Sequence, residues 1–257
     1  MYCVHAILIL TPSQRQILVD GGPSPEKLSQ ELGERLPFWD KSLDLVVLSH
    51  PHSDHLGGLV VVLQRYRVEQ VLEPGIDTDS AIYQEWLRAV EEKDIKRTTA
   101  QVGQKIDLGD GILLEVLNPQ PVPFTGMASP VHDNAVVLHL TWKGVSFLLA
   151  SDIEEYAEIE LLAQRLELDS AVLRVAHHGS ATSTSALFLA AVSPQVAVIS
   201  VGEGNSYDLP DKKVVVPRLE RRLGEDMVLL TSERGTIEIN TDGQRLWVKT
   251  GRKKGIP

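Results

Sequence analysis

Three histidines and an aspartate lie within six consecutive positions of the segment LSHPHSDHLGG, residues 48–58. Imidazole and carboxylate groups at such spacing are typical of metal-binding turns. The segment follows an apolar strand-like run and precedes a helix-like stretch, so its side chains leave a strand end and enter a helix. One short turn cannot place all four groups around one ion. We therefore expect His50 and His52 to bind one ion, and Asp54 and His55 a neighbouring one.

Further candidate ligands follow apolar runs later in the chain. Asp152 ends FLLASD, where a carboxylate could bridge two ions or cap a helix. His177 and His178 follow LRVA in the same layout, and we expect His177 to be the ligand and His178 a substrate contact. His132, on a loop that enters a strand, is an open candidate for a third ligand of the first ion. Two histidines in apolar runs are expected to be packed rather than metal-bound: His5 and His139.

Several polar residues are candidates for supporting roles. Asp20, in ILVDGG, is expected to orient a ligand histidine through its other ring nitrogen, or simply to make a turn. Asn134 could support the site beside His132. Ser180 and Thr182 could donate to phosphate oxygens, or cap the helix that follows. Two carboxylates are expected to be catalytic: Asp54 and Asp152.

Composition limits the function classes. The 257 residues are 43% apolar and 23% charged, which is ordinary for a globular chain. The single cysteine, Cys3, excludes an internal disulfide and a thiolate cluster. A net charge of −10 argues against extensive, salt-driven wrapping of nucleic acid. No apolar run is long enough to span a membrane, and the start lacks the features of a signal peptide. The basic tail 251–257 is expected to be flexible.

Strand-like and helix-like stretches alternate along the whole length, which predicts an α/β layered fold with sheets inside and helices outside. Residues 1–257 are expected to form a single domain. Expected strands cover 6–10, 16–22, 43–50, 68–74, 111–119, 135–140, 145–152, 171–179 and 195–202. Expected helices cover 24–36, 56–66, 79–93, 154–166, 184–192 and 211–223. The first strand, YCVHAILIL, is expected to be buried.

The HxHxDH turn, a later histidine, an aspartate at a strand end and a final strand–histidine pair resemble the metallo-β-lactamase superfamily over nearly the whole chain. The finer resemblance is to the C-terminal domain of the ComEC family of DNA-uptake competence proteins. The matching segments are AILILTP, ILVDGG, HPHSDHLGG, HDNAVVLHL, FLLASDIE, VLRVAHHGSATSTSALFL and VAVISVGEGNSYDLP. The chain departs from that family in three places: it lacks DVGQGD before the first strand, has Leu209 in place of a histidine, and has His132 where asparagine is common.

The resemblance implies an αββα sandwich with a di-metal site at one edge of the paired sheets. It also implies a DNA nuclease that hydrolyses phosphodiesters with metal-activated water and degrades the non-transforming strand during natural competence. The expected cofactors are two divalent ions, with Mn²⁺ favoured and Zn²⁺ the alternative.

Partners and location are further expectations. The substrate would be one DNA strand of an incoming duplex, and the partner a membrane channel portion of the same or another protein. The isolated domain is expected to be monomeric. It would be a soluble domain on the extracytoplasmic face, or cytoplasmic if the chain is free-standing. Two alternatives stay open: a hydrolase of small phosphodiesters, thioesters or lactones, and a non-catalytic domain associated with a channel.

Overall fold

Two β-sheets lie face to face in the computed structural model, which describes residues 5–126 and 128–252. The first sheet has five strands in sequential order, and only its first pair is antiparallel. Its strands are β1 Ile7–Leu10, β2 Gln16–Val19, β3 Ser42–Val47, β4 Arg67–Glu73 and β5 Lys96–Thr99. Because β2 to β5 run parallel, their carboxyl ends share one edge of the sheet.

The second sheet has seven strands in the order β12-β11-β10-β9-β8-β7-β6. They are β6 Lys105–Asp107, β7 Ile112–Asn118, β8 Val137–Trp142, β9 Val145–Leu149, β10 Val172–Arg174, β11 Val196–Ile199 and β12 Val228–Leu230. The four strands β9 to β12 are parallel, and the others pair antiparallel. A separate hairpin joins β13 Ile237–Thr241 to β14 Leu246–Thr250.

Helices cover the outer faces of both sheets. The α-helices of the described residues are α1 Pro25–Arg35, α2 Ser53–Arg65, α3 Ala81–Glu92, α4 Pro130–Asp133, α5 Glu155–Ala163, α6 Ala186–Val192, α7 Val215–Leu223 and α8 Thr231–Arg234. Helix α1 begins at a clear local signal, since Ser24 accepts a hydrogen bond from the backbone N–H of Lys27 and proline occupies the first position. Helices α1 to α3 pack on the first sheet, and α5 to α7 on the second.

Three apolar clusters hold the layers together. One lies between the sheets and contains side chains from both, such as Val47 of β3 and Leu138 of β8. The other two lie between each sheet and its helices. This arrangement confirms the expected αββα sandwich. Each sheet is buried on two faces, which explains why its central strands are almost continuously apolar.

The predicted elements are mostly present, with differences at the edges. The expectation that the first strand is buried was wrong, because β1 is an edge strand and Leu10 is 55% exposed. Residues 1–4 of that stretch lie outside the described residues, as does 253–257 of the basic tail. Five short strands were not predicted: β5, β6, β12, β13 and β14. Within the described ranges, none of the helices has the length and apolar character needed to cross a bilayer.

Candidate metal centre

Strand ends of both sheets converge on one site. The histidine-rich turn begins just after β3 of the first sheet, while Asp152 and His178 follow β9 and β10 of the second. Asp152 Oδ2 lies 3.2 Å from His55 Nε2 and 2.9 Å from His178 Nε2. Residues that are about a hundred positions apart in sequence therefore meet at the edge where the two sheets face each other.

Two glycines make the turn possible. Gly58, in the first turns of α2, lies against the backbone of Gly21, and a Cβ at position 58 would lie 2.2 Å from the Gly21 carbonyl oxygen. The Gly21 N–H donates to the His55 carbonyl at 2.7 Å, which ties the DGG loop to the start of the helix. This close backbone approach places Asp20 beside the histidine turn, and any side chain at position 58 would prevent it.

One set of possible ligands, called the aspartate cluster here, comes from both sheets. Its members are Asp54, His55, Asp152 and His178, with one ligand atom from each within 4.8 Å of the others. His55, Asp152 and His178 are buried, whereas the Asp54 side chain is 44% exposed. Two carboxylates and two imidazoles at this separation form a donor set suited to a divalent ion.

A second set, called the histidine cluster, adjoins it and consists of His50, His52 and His132. His52 Nδ1 lies 3.1 Å from both His50 Nε2 and His132 Nε2. The ring centroids of His50 and His55 are 4.1 Å apart, so the two clusters are neighbours. The structure thus brings His132 to the two histidines of the turn, where the sequence had left its role open.

Each cluster contains at least one histidine whose Nδ1 atom is hydrogen-bonded to a group outside the cluster. His55 Nδ1 lies 2.7 Å from an oxygen of Asp20, and His178 Nδ1 lies 2.9 Å from the Ser200 carbonyl. In the histidine cluster, His132 Nδ1 lies 2.9 Å from Glu154 Oε1. An imidazole that donates from Nδ1 has its Nε2 lone pair free for a metal ion.

Asp20 lies where the orienting role needs it. Besides contacting His55, its carboxylate accepts hydrogen bonds from the Ser49 backbone N–H at 2.8 Å and the Ser49 hydroxyl at 2.7 Å. Its φ of +59° is in the left-handed region, which aspartate tolerates better than most residues. The turn-making role and the orienting role that the sequence suggested are therefore compatible.

His177 and His178 diverge despite being adjacent. Both have left-handed backbone angles, with φ of 46° and 54°, which send their rings in different directions. His178 joins the aspartate cluster, the place for which His177 was favoured from the sequence. His177 instead forms a third group with His132 and Glu154, and its Nδ1 lies 3.3 Å from Glu154 Oε1.

The other residues proposed from sequence have distinct surroundings. Asn134 is buried and clamps the preceding loop, because its amide donates to the Phe124 and Pro130 carbonyls and its oxygen accepts from the Phe124 N–H. Ser180 contacts Thr182, whose Oγ1 lies 3.4 Å from His177 Nδ1. Asn134 is therefore placed to shape the loop, while Ser180 and Thr182 border the mouth of the site.

Sequence reasoning missed three contributors. Glu154 gave no motif signal beyond its place after Asp152. Arg174 Nη1 lies 3.1 Å from Asp152 Oδ1 and also donates to the Ser151 carbonyl. His5, expected only to be packed, lies with its ring centroid 4.0 Å from that of His178. His139 is buried in β8, as expected, at 3% exposure.

The two clusters differ in electrostatics. Burial opposes protonation of His55, but Asp152 and Asp20 raise its pKa to about 10. Burial likewise opposes ionisation of Asp152, yet His55 and His178 hold its pKa well below the usual range. Burial lowers the pKa of His50, and neighbouring imidazoles reinforce the shift. In the metal-free chain the carboxylates of the aspartate cluster are therefore paired with protonated imidazole, which a divalent ion would displace, while His50 is already neutral and available as a ligand.

The donor chemistry of both clusters fits divalent ions. The histidine cluster offers three imidazoles and the aspartate cluster two imidazoles and two carboxylates, without any thiolate. These donors suit Zn²⁺ or Mn²⁺. Histidines that bind metals usually have a hydrogen-bond partner at the ring nitrogen that does not bind the ion. Asp20, Glu154 and the Ser200 carbonyl are such partners for the Nδ1 atoms of His55, His132 and His178.

Several known proteins are similar to this chain in sequence. The chain is 28% identical over 250 residues to ComE operon protein 3 of Bacillus subtilis, covering 91% of this chain and 31% of the relative. It is 32% identical over 177 residues to competence protein ComA of Neisseria gonorrhoeae, covering 68% of this chain and 22% of the relative. The chain thus spans less than a third of each of these relatives.

Solved structures and a family model identify the fold. The metallo-β-lactamase fold protein YhfI of Bacillus subtilis superposes with a TM-score of 0.54 at 15% identity, covering 89% of this chain and 88% of YhfI. The model of the metallo-beta-lactamase superfamily matches residues 3–203, which include both ligand clusters. The chain therefore belongs to the metallo-β-lactamase superfamily.

Proposed function

We propose that this chain is a di-metal phosphodiesterase that cleaves DNA. The observation that carries the proposal is the pair of adjacent ligand clusters, joined at the contact of His50 with His55. Pairs of metal ions are a recurrent device for hydrolysing phosphodiesters. The competence name of the ComA relative supports DNA as the substrate.

Seven side chains would hold the ions. His50, His52 and His132 would bind the first, and Asp54, His55, Asp152 and His178 the second. Ions in these places would supply a water nucleophile activated near neutral pH and neutralise charge on the scissile phosphodiester. We assign His178 rather than His177 to the second ion because its Nε2 faces Asp152 at 2.9 Å.

The chain's own groups orient the ligands and admit the substrate. Asp20 and Glu154 hold the Nδ1 atoms of His55 and His132, which keeps their rings in place. The open side of the site is formed by His52 and Asp54, which are more exposed than the other ligands. Thr182, next to His177, could donate a hydrogen bond to a substrate phosphate there.

The biological setting follows as part of the proposal. A nuclease of this kind would degrade the non-transforming strand of incoming DNA during natural competence. It would act beside a membrane channel portion of the same or a partner protein, on the extracytoplasmic face. Similarity to less than a third of the competence relative leaves ample sequence in that protein for such a portion. We favour Mn²⁺ over Zn²⁺ as the working metal.

A DNA degradation assay tests this function. Fluorescently labelled DNA is incubated with the purified chain in parallel with EDTA, Mn²⁺, Mg²⁺ and Zn²⁺. We expect degradation in Mn²⁺ that EDTA stops and that the double variant Asp54→Ala, His55→Ala abolishes. If the metal-loaded chain leaves DNA intact but rapidly hydrolyses bis-p-nitrophenyl phosphate or a thioester, the proposed DNA cleavage is contradicted and a small molecule is the substrate.

A further inference from the structure

A cationic segment stands out on this acidic chain. The whole protein has a net charge of −10, yet residues 212–222 carry five cations and one anion. The cations are Lys212, Lys213, Arg218, Arg221 and Arg222, and the anion is Glu220. Most of this segment belongs to α7 and the turn before it. We call these five cations the basic strip.

The basic strip runs beside the loop that carries His178. The N–H of Asp211 donates to the carbonyl of Gly179 at 2.8 Å, which joins the start of the strip to the residue after His178. Farther along, Arg218 Nη1 donates to the Thr184 carbonyl at 2.6 Å. Its far end is held as well, since Arg222 Nη2 donates to the Ser193 hydroxyl at 3.0 Å.

A polar cavity of about 220 Å³ lies between the strip and the metal centre. It is lined by Glu155, Ala181, Thr182, Ser183, Ser185 and Arg218. Thr182 connects it to the site already described, because its Oγ1 lies 3.4 Å from His177 Nδ1. Glu155 is solvent-exposed, so water screens its charge, and Arg218 is the cation among the lining residues.

We propose that the basic strip binds the backbone of a DNA strand, and that Arg218 holds a phosphate next to the one being cleaved. This inference rests on the proposed function and names the binding surface of its substrate. A guanidinium presents five N–H donors in a planar fork that matches a phosphate. The Thr184 carbonyl uses only the Nη1 group, which fixes the fork in place and leaves other donors for the ligand.

Charge explains why a local strip is needed. An overall negative chain repels a polyanion, so productive contact requires a cationic surface at the site itself. The strip extends away from the aspartate cluster along α7, a nine-residue helix of about 13 Å. That length spans roughly two phosphate spacings of an extended strand, so the strand would be gripped on one side of the cleavage point.

Binding measurements test the strip without relying on cleavage. The probe is a fluorescein-labelled DNA strand of about 12 nucleotides with hydrolysis-resistant phosphorothioate linkages, titrated with the Mn²⁺-loaded chain at several salt concentrations. We expect Arg218→Gln to weaken binding about fivefold to tenfold and to reduce the slope of log Kd against log salt by about 0.7. The affinity of Arg218→Lys for the DNA strand should lie between that of the wild-type chain and that of Arg218→Gln.

Two other variants make the result specific. The combined variant Lys212→Gln, Lys213→Gln, Arg221→Gln, Arg222→Gln should lower the slope of log Kd against log salt more than Arg218→Gln does, and it leaves the contact of Arg218 with the Thr184 carbonyl intact. Arg88→Gln is the matched control, because Arg88 lies on α3 against the other sheet and donates to the carbonyl four residues earlier. It should change Kd by less than twofold.

Three results would contradict the proposal that the basic strip binds DNA. The wild-type chain could fail to bind the DNA strand even at low salt, or Arg88→Gln and Arg218→Gln could lose equal DNA affinity. The third such result is binding of the chain to anionic phospholipid vesicles and not to DNA. A chain that binds the strand through these cations but degrades no DNA would contradict the proposed nuclease function alone. The two proposals can therefore fail separately.

Discussion

The two ligand clusters share an edge but are built differently. The histidine cluster has three imidazoles, and His52 faces solvent. The aspartate cluster has two carboxylates, and three of its four members are buried. Since buried negative charge holds a cation more firmly than neutral imidazoles do, the aspartate cluster is the tighter site in our account. The histidine cluster is the more open one, because His52 is exposed and His132 is partly exposed, and in the proposed function a substrate phosphate would approach there.

The largest expected effect comes from Asp152, which contacts both histidines of the aspartate cluster. Asp152→Asn should reduce bound metal from two ions to about one and lower hydrolysis on the order of a thousandfold. It also leaves the buried Arg174 without its charge partner, so the free energy of unfolding should fall by about 3–5 kcal/mol. Metal analysis and chemical denaturation measure both changes. Retention of two ions would contradict the assignment.

The two adjacent histidines provide the next comparison. His178→Ala removes a buried member of the aspartate cluster, whereas His177→Ala removes a half-buried residue at its mouth. We expect the first variant to bind one ion fewer and the second to keep both, as measured by metal analysis after dialysis. If His177→Ala bound one ion fewer and His178→Ala kept both, His177 would be the ligand instead.

Orienting carboxylates should affect one cluster each. Asp20→Asn disturbs the Nδ1 contact of His55, and Glu154→Gln disturbs that of His132. Each should weaken metal binding about 10- to 100-fold at its own cluster and leave the other within a few-fold. Competition titrations with a chromophoric chelator resolve the two affinities. Equal weakening of both ions by either variant would show that the clusters do not act separately.

The smallest expected difference between the two clusters is the number of protons that each releases when it binds a metal ion. Its pKa of about 10 keeps His55 protonated at pH 8 in the metal-free chain, so metal binding at the aspartate cluster should release at least one proton. His50, with a lowered pKa, is already neutral and should release none. Metal affinity of the aspartate cluster should therefore rise with pH up to about 10. Titration calorimetry in buffers of different ionisation enthalpy measures the protons released at each step.

Sequence patterns predicted the parts of the site that are local. The HxHxDH turn combines a strand end and a helix start, so the sequence alone placed His50 and His52 in one group of possible ligands and Asp54 and His55 in another, as the structure does. The central strands were also predictable, because burial on both faces makes them continuously apolar. The short strands β5 and β6 were not, since KRTT and KID carry edge-strand polarity rather than a period.

The remaining features depend on tertiary placement. The choice between His177 and His178 is decided by two successive left-handed backbone conformations, which no composition signal reveals. The contact of Glu154 with His132 could not be predicted from sequence, because it depends on how the start of α5 packs beside α4. The basic strip escaped notice because its cations are spread over eleven positions and interleaved with apolar residues, unlike the compact GRKKG tail.

The most direct test is a crystal structure of the Mn²⁺-soaked chain with anomalous diffraction data. Two anomalous peaks are expected, one among His50, His52 and His132, the other among Asp54, His55, Asp152 and His178. A single peak, or one enclosed by His132, Glu154 and His177, would contradict a centre built from two unlike clusters.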